Sequence, residues 1–286
     1  MAFKKMRIFL EMIKIEHTLF ALPFAYTGAM LVEKRIPSGH DLIWITLAMV
    51  GARTAAMSLN RIIDRHIDAR NPRTANRAIP RGLLSSLEVW FYVVISFALL
   101  MVSSYKLSPL AFKLFPVAVA VLFLYPYTKR FTWACHLILG AALGLAPLGA
   151  WIAISNQIDP APLLLAAGVT FWVAGFDIIY ACDDYDFDRL DGIHSIPARF
   201  GIRIGLRISA FFHVLAMVFF MAVAWVLKLG IFYLAGMLLV TALLFYQHRL
   251  VRPGDLSRSG MAFFNLNAGL SAATFLFTLL DLLAYS

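Results

Sequence analysis

Trp172-Val-Ala-Gly-Phe-Asp177-Ile-Ile-Tyr180-Ala-Cys-Asp183-Asp184-Tyr-Asp186-Phe-Asp188-Arg-Leu-Asp191 is the stretch on which the architecture turns, because an apolar run leads directly into a block of carboxylates. A spanning helix needs roughly 20 apolar residues, and residues 161–180 supply that length. Ionisable groups at the ends of such spans are costly and usually functional. The juxtaposition occurs a second time, where the apolar run 41–59 meets Asn60-Arg-Ile-Ile-Asp64-Arg-His-Ile-Asp68. Of the 16 Asp and Glu in the chain, Asp64, Asp68, Asp177, Asp183, Asp184, Asp186, Asp188 and Asp191 fall in these two neighbourhoods, although 61% of residues are hydrophobic.

Outward from these stretches the whole chain is apolar. A mean hydropathy of +0.79 with 14% charged residues excludes an ordinary soluble domain. The hydropathy predicts nine spans at about 16–33, 41–59, 87–105, 109–127, 132–154, 161–180, 207–228, 230–247 and 261–283. The expected fold is all-α, a polytopic membrane bundle of about nine transmembrane helices around a central cavity with cytoplasmic cap loops, forming one membrane domain over residues 1–286. Met1 to Lys14 is basic and amphipathic, but Glu11, Lys14 and Glu16 interrupt any signal-peptide core, so the first span is expected to be retained.

Cytoplasmic loops collect Lys and Arg, and with the N-terminus inside, 19 of the 25 fall on that side. The other face carries Lys34, Arg35, Lys106, Lys113 and Lys228, while Arg53 lies within the second span. Both acidic stretches therefore open toward the cytoplasm of a multi-pass protein of the cell inner membrane. The +9 net charge reflects this topology and anionic ligands, with no feature suggesting nucleic acid. Cys135 and Cys182 lie in or beside apolar runs and form no disulfide framework.

Asn60, Asp64 and Asp68 form an i, i+4, i+8 row, as do Tyr180, Asp184 and Asp188. In helical conformation each row projects from one face. The rows are 120 residues and four predicted helices apart, a spacing compatible with a parallel internal duplication that puts both at one membrane depth. Paired carboxylates suit Mg²⁺, which takes one or two of them together with substrate phosphate. Arg73 and Arg77 in a Pro-, Asn- and Arg-rich loop, with Lys129 and Arg130 after Tyr125-Pro-Tyr127, bring fixed positive charge to the same side. Arginine holds phosphate through a bidentate fork and lysine as a point charge. His66 and His194 flank the rows, but no second His or Cys stands at zinc-ligand spacing. Tyr125, Tyr127, Phe176 and Tyr180 are placed either to pack in the core or to line a lipid-chain tunnel and meet a developing carbocation with a π face.

Together these residues resemble the UbiA superfamily of intramembrane aromatic prenyltransferases. The first motif is matched by Asn60, Asp64 and Asp68, the following Arg-Thr-x-x-Arg-x-x-Pro by Arg73, Thr74, Arg77 and Pro80, the Tyr-x-x-x-Lys motif by Tyr125 and Lys129, and the second motif by Tyr180, Asp184 and Asp188. Arg61 departs from the pattern, standing where many members have Asp. The stretches Met12–Pro23 and Asn71–Arg77 are similar to the branch acting on 4-hydroxybenzoate, and more so to its menaquinone counterpart, taken to prenylate 1,4-dihydroxy-6-naphthoate in the futalosine route.

The resemblance implies Mg²⁺ on Asp64, Asp68, Asp184 and Asp188, binding a polyprenyl diphosphate whose charge Arg73, Arg77, Lys129 and Arg130 help neutralise. Asn60, Tyr125 and Tyr180 would orient ligands, donor or the ionising carbon. The acceptor would be an aromatic acid and the prenyl tail would remain in membrane lipid. Two rivals are weaker. A CDP-alcohol phosphotransferase would carry a compact Asp-Gly-x-x-Ala-Arg signature, which is absent, and an ion-coupled transporter would place its carboxylates near the midplane rather than beside basic cytoplasmic loops.

Overall fold

The computed structural model describes residues 2–14 and 18–285, and all of its regular structure is helical. Residues 15–17, which include Glu16 and belong to the stretch Met12–Pro23 used in the sequence argument above, lie outside the described residues. A short amphipathic helix, α1 (Ala2–Ile13), precedes the bundle. Its Phe9, Met12 and Ile13 are buried against Leu59, Ile62 and Ile63 near the end of the second span. The long helices are α2 (Thr18–Glu33), α3 (Gly39–Ile63), α5 (Ser86–Leu107), α6 (Pro109–Leu124), α7 (Cys135–Ser155), α8 (Pro160–Ala181), α11 (Ile202–Leu227), α12 (Ile231–Leu250) and α13 (Ser259–Tyr285). Each matches a predicted span to within a few residues. Among the described residues, eight are long and apolar enough to cross a membrane. The remaining one, α2, has 16 described residues and packs into the bundle as a ninth rod against α7 and α13.

Local chemistry sets the helix boundaries. Ser85 and Glu88 form a reciprocal capping box at the start of α5, and Ser108 caps α6, whose first residue is Pro109. Asp281 of α13 accepts from the Gly230 and Tyr233 amides at 2.7 and 3.1 Å, satisfying the first turn of α12. The largest apolar cluster surrounds α8, where Trp172, Val173 and Phe176 meet Phe24 and Phe220. Backbones approach closely beside it: a Cβ on Gly140 would lie 2.2 Å from the Thr170 carbonyl, and one on Gly28 would lie 2.3 Å from that of Pro147. Phe91, Val94, Phe211, Val218, Leu238 and Phe245 are exposed. Such outward apolar faces suit hydrocarbon and would be unusual in water. The protein is a multi-pass membrane bundle.

Short helices cap one end. The chain breaks at Asp64 (φ −88°, ψ 1°) and restarts as α4 (Arg65–Arg70). It breaks likewise after α8, where a 3₁₀ turn over Cys182–Asp184 leads into α9 (Tyr185–Asp191), followed by α10 (Ile196–Phe200). The first aspartate of each row thus sits at the junction of a span and a cap helix. The helical register survives the break in the first row, since the Asp68 amide still donates to the Asp64 carbonyl at 2.8 Å.

Candidate active site

A cavity of about 960 Å³ opens among the spans below the cap, and both acidic rows line it. From the first row come Asn60, Asp64 and Asp68, and from the second Tyr180, Asp184 and Asp188. Arg73, Arg77, Tyr125 and Lys129 line it as well. Arg130 does not: its guanidinium donates to the Ile63 carbonyl and stands 3.6 Å from Asp64 Oδ1, behind the wall. Of the candidate aromatics, Tyr125, Phe176 and Tyr180 reach the cavity, whereas Tyr127 packs against Phe123. Asp183 leaves the site, accepting from Ser259 at 2.7 Å, and Asp186 is exposed.

Each acidic row is met by cations. Lys129 Nζ lies 2.6 Å from Asp64 Oδ2, which also accepts from Asn60 Nδ2 at 3.0 Å. Arg77 Nη1 donates to Asp68 Oδ1 at 2.6 Å. Arg73 forks onto both oxygens of Asp184, donates to the Tyr180 hydroxyl and lies over the Tyr180 ring. Burial disfavours its charged form, but hydrogen bonding and the charge of Asp184 more than offset this and hold its pKa above the ordinary value. Tyr180 also stacks on Phe263, with centroids 4.2 Å apart.

Several participants carried no signal in the sequence. Asn71 Nδ2 donates to Asp184 Oδ1 at 2.9 Å and Ser195 Oγ to Asp188 Oδ2 at 2.8 Å. Arg61, noted only as a departure from the family pattern, is buried, lines the cavity and donates to Asn60 Oδ1 at 3.0 Å. Long-range proximity alone brings Asn71 and Ser195 to the rows, so spacing could not have found them. The caps are tied across the mouth: Arg70 forks onto Asp191 at 2.6 and 2.7 Å, and the His194 amide donates to the Lys129 carbonyl at 2.8 Å.

Among the described residues no three His, Cys, Asp or Glu side chains converge as a metal cage. Two carboxylate oxygens are nevertheless left over, since Asp64 Oδ1 and Asp68 Oδ2 are buried without a hydrogen bond. Buried acceptors of this kind are costly. Hard oxygen donors, too few to enclose an ion and under-satisfied where they are most buried, fit a divalent cation whose shell is completed by ligand oxygens.

Comparison with known proteins agrees with this geometry. Residues 21–269 match the family model described as UbiA prenyltransferase family. The chain is 29% identical over 270 residues to a 4-hydroxybenzoate octaprenyltransferase of Vibrio cholerae, covering 92% of this chain and 93% of that protein. It superposes on the apo structure of a UbiA homolog from Aeropyrum pernix with a TM-score of 0.85 and 35% identity, over 93% of this chain and 98% of the other. A UbiA homolog from Archaeoglobus fulgidus, solved bound to GPP and Mg²⁺, shares the fold with a TM-score of 0.69 and 18% identity, over 95% of this chain and 99% of the other.

Proposed function

The chain belongs to the UbiA prenyltransferase family, and from that premise we propose that it transfers a polyprenyl group from a polyprenyl diphosphate to the ring of a hydroxylated aromatic acid. The acceptor is a quinone precursor, 4-hydroxybenzoate or 1,4-dihydroxy-6-naphthoate, in ubiquinone or menaquinone biosynthesis. The similarity to a 4-hydroxybenzoate octaprenyltransferase supports the first acceptor, and the short stretches Met12–Pro23 and Asn71–Arg77 support the second. The observation that carries the reading is the meeting of two acidic rows and three cavity-lining cations around buried, under-satisfied carboxylate oxygens.

In this reading Asp64, Asp68, Asp184 and Asp188 hold Mg²⁺. A divalent cation held there would supply positive charge against the leaving diphosphate. Arg77 and Lys129 line the cavity beside the rows and supply fixed positive charge to the same oxygens, so their stabilisation grows as the allylic C–O bond ionises. Arg73 turns its fork from Asp184 to phosphate, a bidentate geometry that lysine lacks. Asn60 and Asn71 keep the carboxylates in place through the bonds described above. Tyr180, which carries Arg73 over its ring and stacks on Phe263, lines the cavity and would help orient the ionising carbon. The apolar body of the cavity excludes water that would quench the allylic cation. The positive-inside charge distribution supports an inner-membrane protein with N-terminus and caps in the cytoplasm.

The deciding experiment supplies purified protein with Mg²⁺, a polyprenyl diphosphate and each acceptor in turn, with products read by mass spectrometry. A prenylated arene is expected, and which acceptor yields it assigns the pathway. No prenylated product from either acceptor overturns the proposal.

A further inference from the structure

Asp177 lines the cavity and takes no part in the scheme above. Asp177 lies seven residues before Asp184 on α8, about 10 Å farther into the bundle at helical rise. Its Oδ2 is 2.7 Å from Nδ1 of His136 on α7, and both residues line the cavity. His136 is 3% exposed while Asp177 keeps 23%, so the imidazole is sealed in the wall and the carboxylate is the accessible partner. The hydrogen bonds fix the tautomer. The Ile196 amide donates to His136 Nε2 at 3.2 Å, so that nitrogen carries no proton and Nδ1–H donates to Asp177. The second row has a related anchor, because Ser195, next to Ile196, donates to Asp188.

Asp177 also differs in its partner. Asp64, Asp68 and Asp184 are each paired with a cation, Lys129, Arg77 or Arg73. Asp177 is met by the imidazole of His136, which orients it, and by no arginine or lysine ion pair among the described residues. Trp172 and Phe176, on the preceding turns of α8, also line the cavity and provide aromatic walls at this depth.

We propose that Asp177 binds the ring hydroxyl of the acceptor and takes its proton, with His136 as the positioning residue; this rests on the prenyl-transfer reading above. The step balances. The allylic C–O pair leaves with diphosphate, a ring π pair forms the new C–C bond, and the O–H pair moves into the ring as the proton passes to Asp177. The resulting neutral cyclohexadienone regains aromaticity when its ring hydrogen is exchanged for a proton on oxygen. Proton removal as the bond forms spares the ring the positive charge of the cationic adduct, and a positioned base is typically worth a hundredfold or more.

The test compares Asp177→Asn with wild type in two assays: prenylation of a hydroxyarene acid, and Mg²⁺-dependent binding of a non-cleavable allylic thiolodiphosphate. Asp177→Asn is expected to lower prenylation about a hundredfold while leaving thiolodiphosphate affinity unchanged. His136→Asn, which retains a donor toward Asp177, is expected to keep several times more activity than His136→Ala, again with unchanged thiolodiphosphate affinity. Prenylation by Asp177→Asn within twofold of wild type overturns the proposal, as does loss of thiolodiphosphate binding in both Asp177→Asn and His136→Asn. If wild type itself prenylates no hydroxyarene, the prenyl-transfer reading fails instead.

Discussion

The two acidic rows look alike in sequence and differ in how their charges are satisfied. In the first, Asp64 and Asp68 are almost wholly buried, Asp64 has Lys129 and Arg130 close by and Asp68 has Arg77, and each retains an oxygen without a hydrogen bond. In the second, Asp184 is held by the Arg73 fork and by Asn71, and Asp188 by Ser195. The arms that hold Asp184 belong to the loop following the first row. Without ligand, then, the first half lends its polar groups to the second and leaves its own carboxylates short. In the proposed reading the first row would be ready to receive a cation, and the second would first have to release Arg73 from Asp184.

The largest effect tests whether both rows are needed. Asp64→Ala and Asp184→Ala are each expected to lower turnover by roughly a thousandfold or more, in protein that still inserts and elutes as wild type. Wild-type-like turnover in either variant removes that row from the chemistry. Chelation should abolish activity in the same way and added Mg²⁺ should restore it, and persistent turnover after rigorous metal removal contradicts the metal assignment.

A smaller effect separates charge from geometry. Arg77→Lys keeps the cation beside Asp68 but loses the planar fork, and loss of one charge-assisted contact costs about 1.5–3 kcal/mol, or roughly ten- to over a hundredfold in kcat/KM for the donor. Unchanged donor kinetics in both Arg77→Lys and Arg77→Ala would make Arg77 a topological anchor only. Smaller still, Arg73→Gln frees Asp184 from its competing cation, so Mg²⁺ titrated in the absence of donor should bind a few-fold more tightly, read by the midpoint of metal-dependent thermal stabilisation. Weaker binding would show that Arg73 organises the second row instead of blocking it. At the bottom of the scale, Arg70→Ala breaks an exposed fork at the mouth and should leave turnover and melting temperature essentially unchanged.

Hydropathy made the spans legible because nine stretches of adequate length each had to hide their backbone in hydrocarbon. The rows were legible because carboxylates at the ends of such spans are rare. The helix breaks at Asp64 and Asp184 were not, since neither position carries a Gly or Pro to mark them, and tertiary packing of the caps imposes the turn. Asn71 and Ser195 were invisible for a related reason: an amide or hydroxyl has no pattern until its partner arrives from a distant part of the chain. Arg130 differs in another way, donating to the Ile63 carbonyl while standing 3.6 Å from Asp64 and outside the cavity lining. Asp177 and His136 stand 41 residues apart on neighbouring spans, and only the packing of α7 on α8 makes them a pair.

The two buried oxygens without hydrogen bonds on Asp64 and Asp68 carry a thermodynamic consequence. A fold that strands acceptors in its interior gives up stability to do so, and whatever satisfies them returns it through mass action. The empty enzyme should therefore be the fragile form, and the bundle should melt later as metal and diphosphate are supplied together. In the proposed reading heat resistance and catalysis would draw on the same two oxygens, and selection for one would be expected to erode the other.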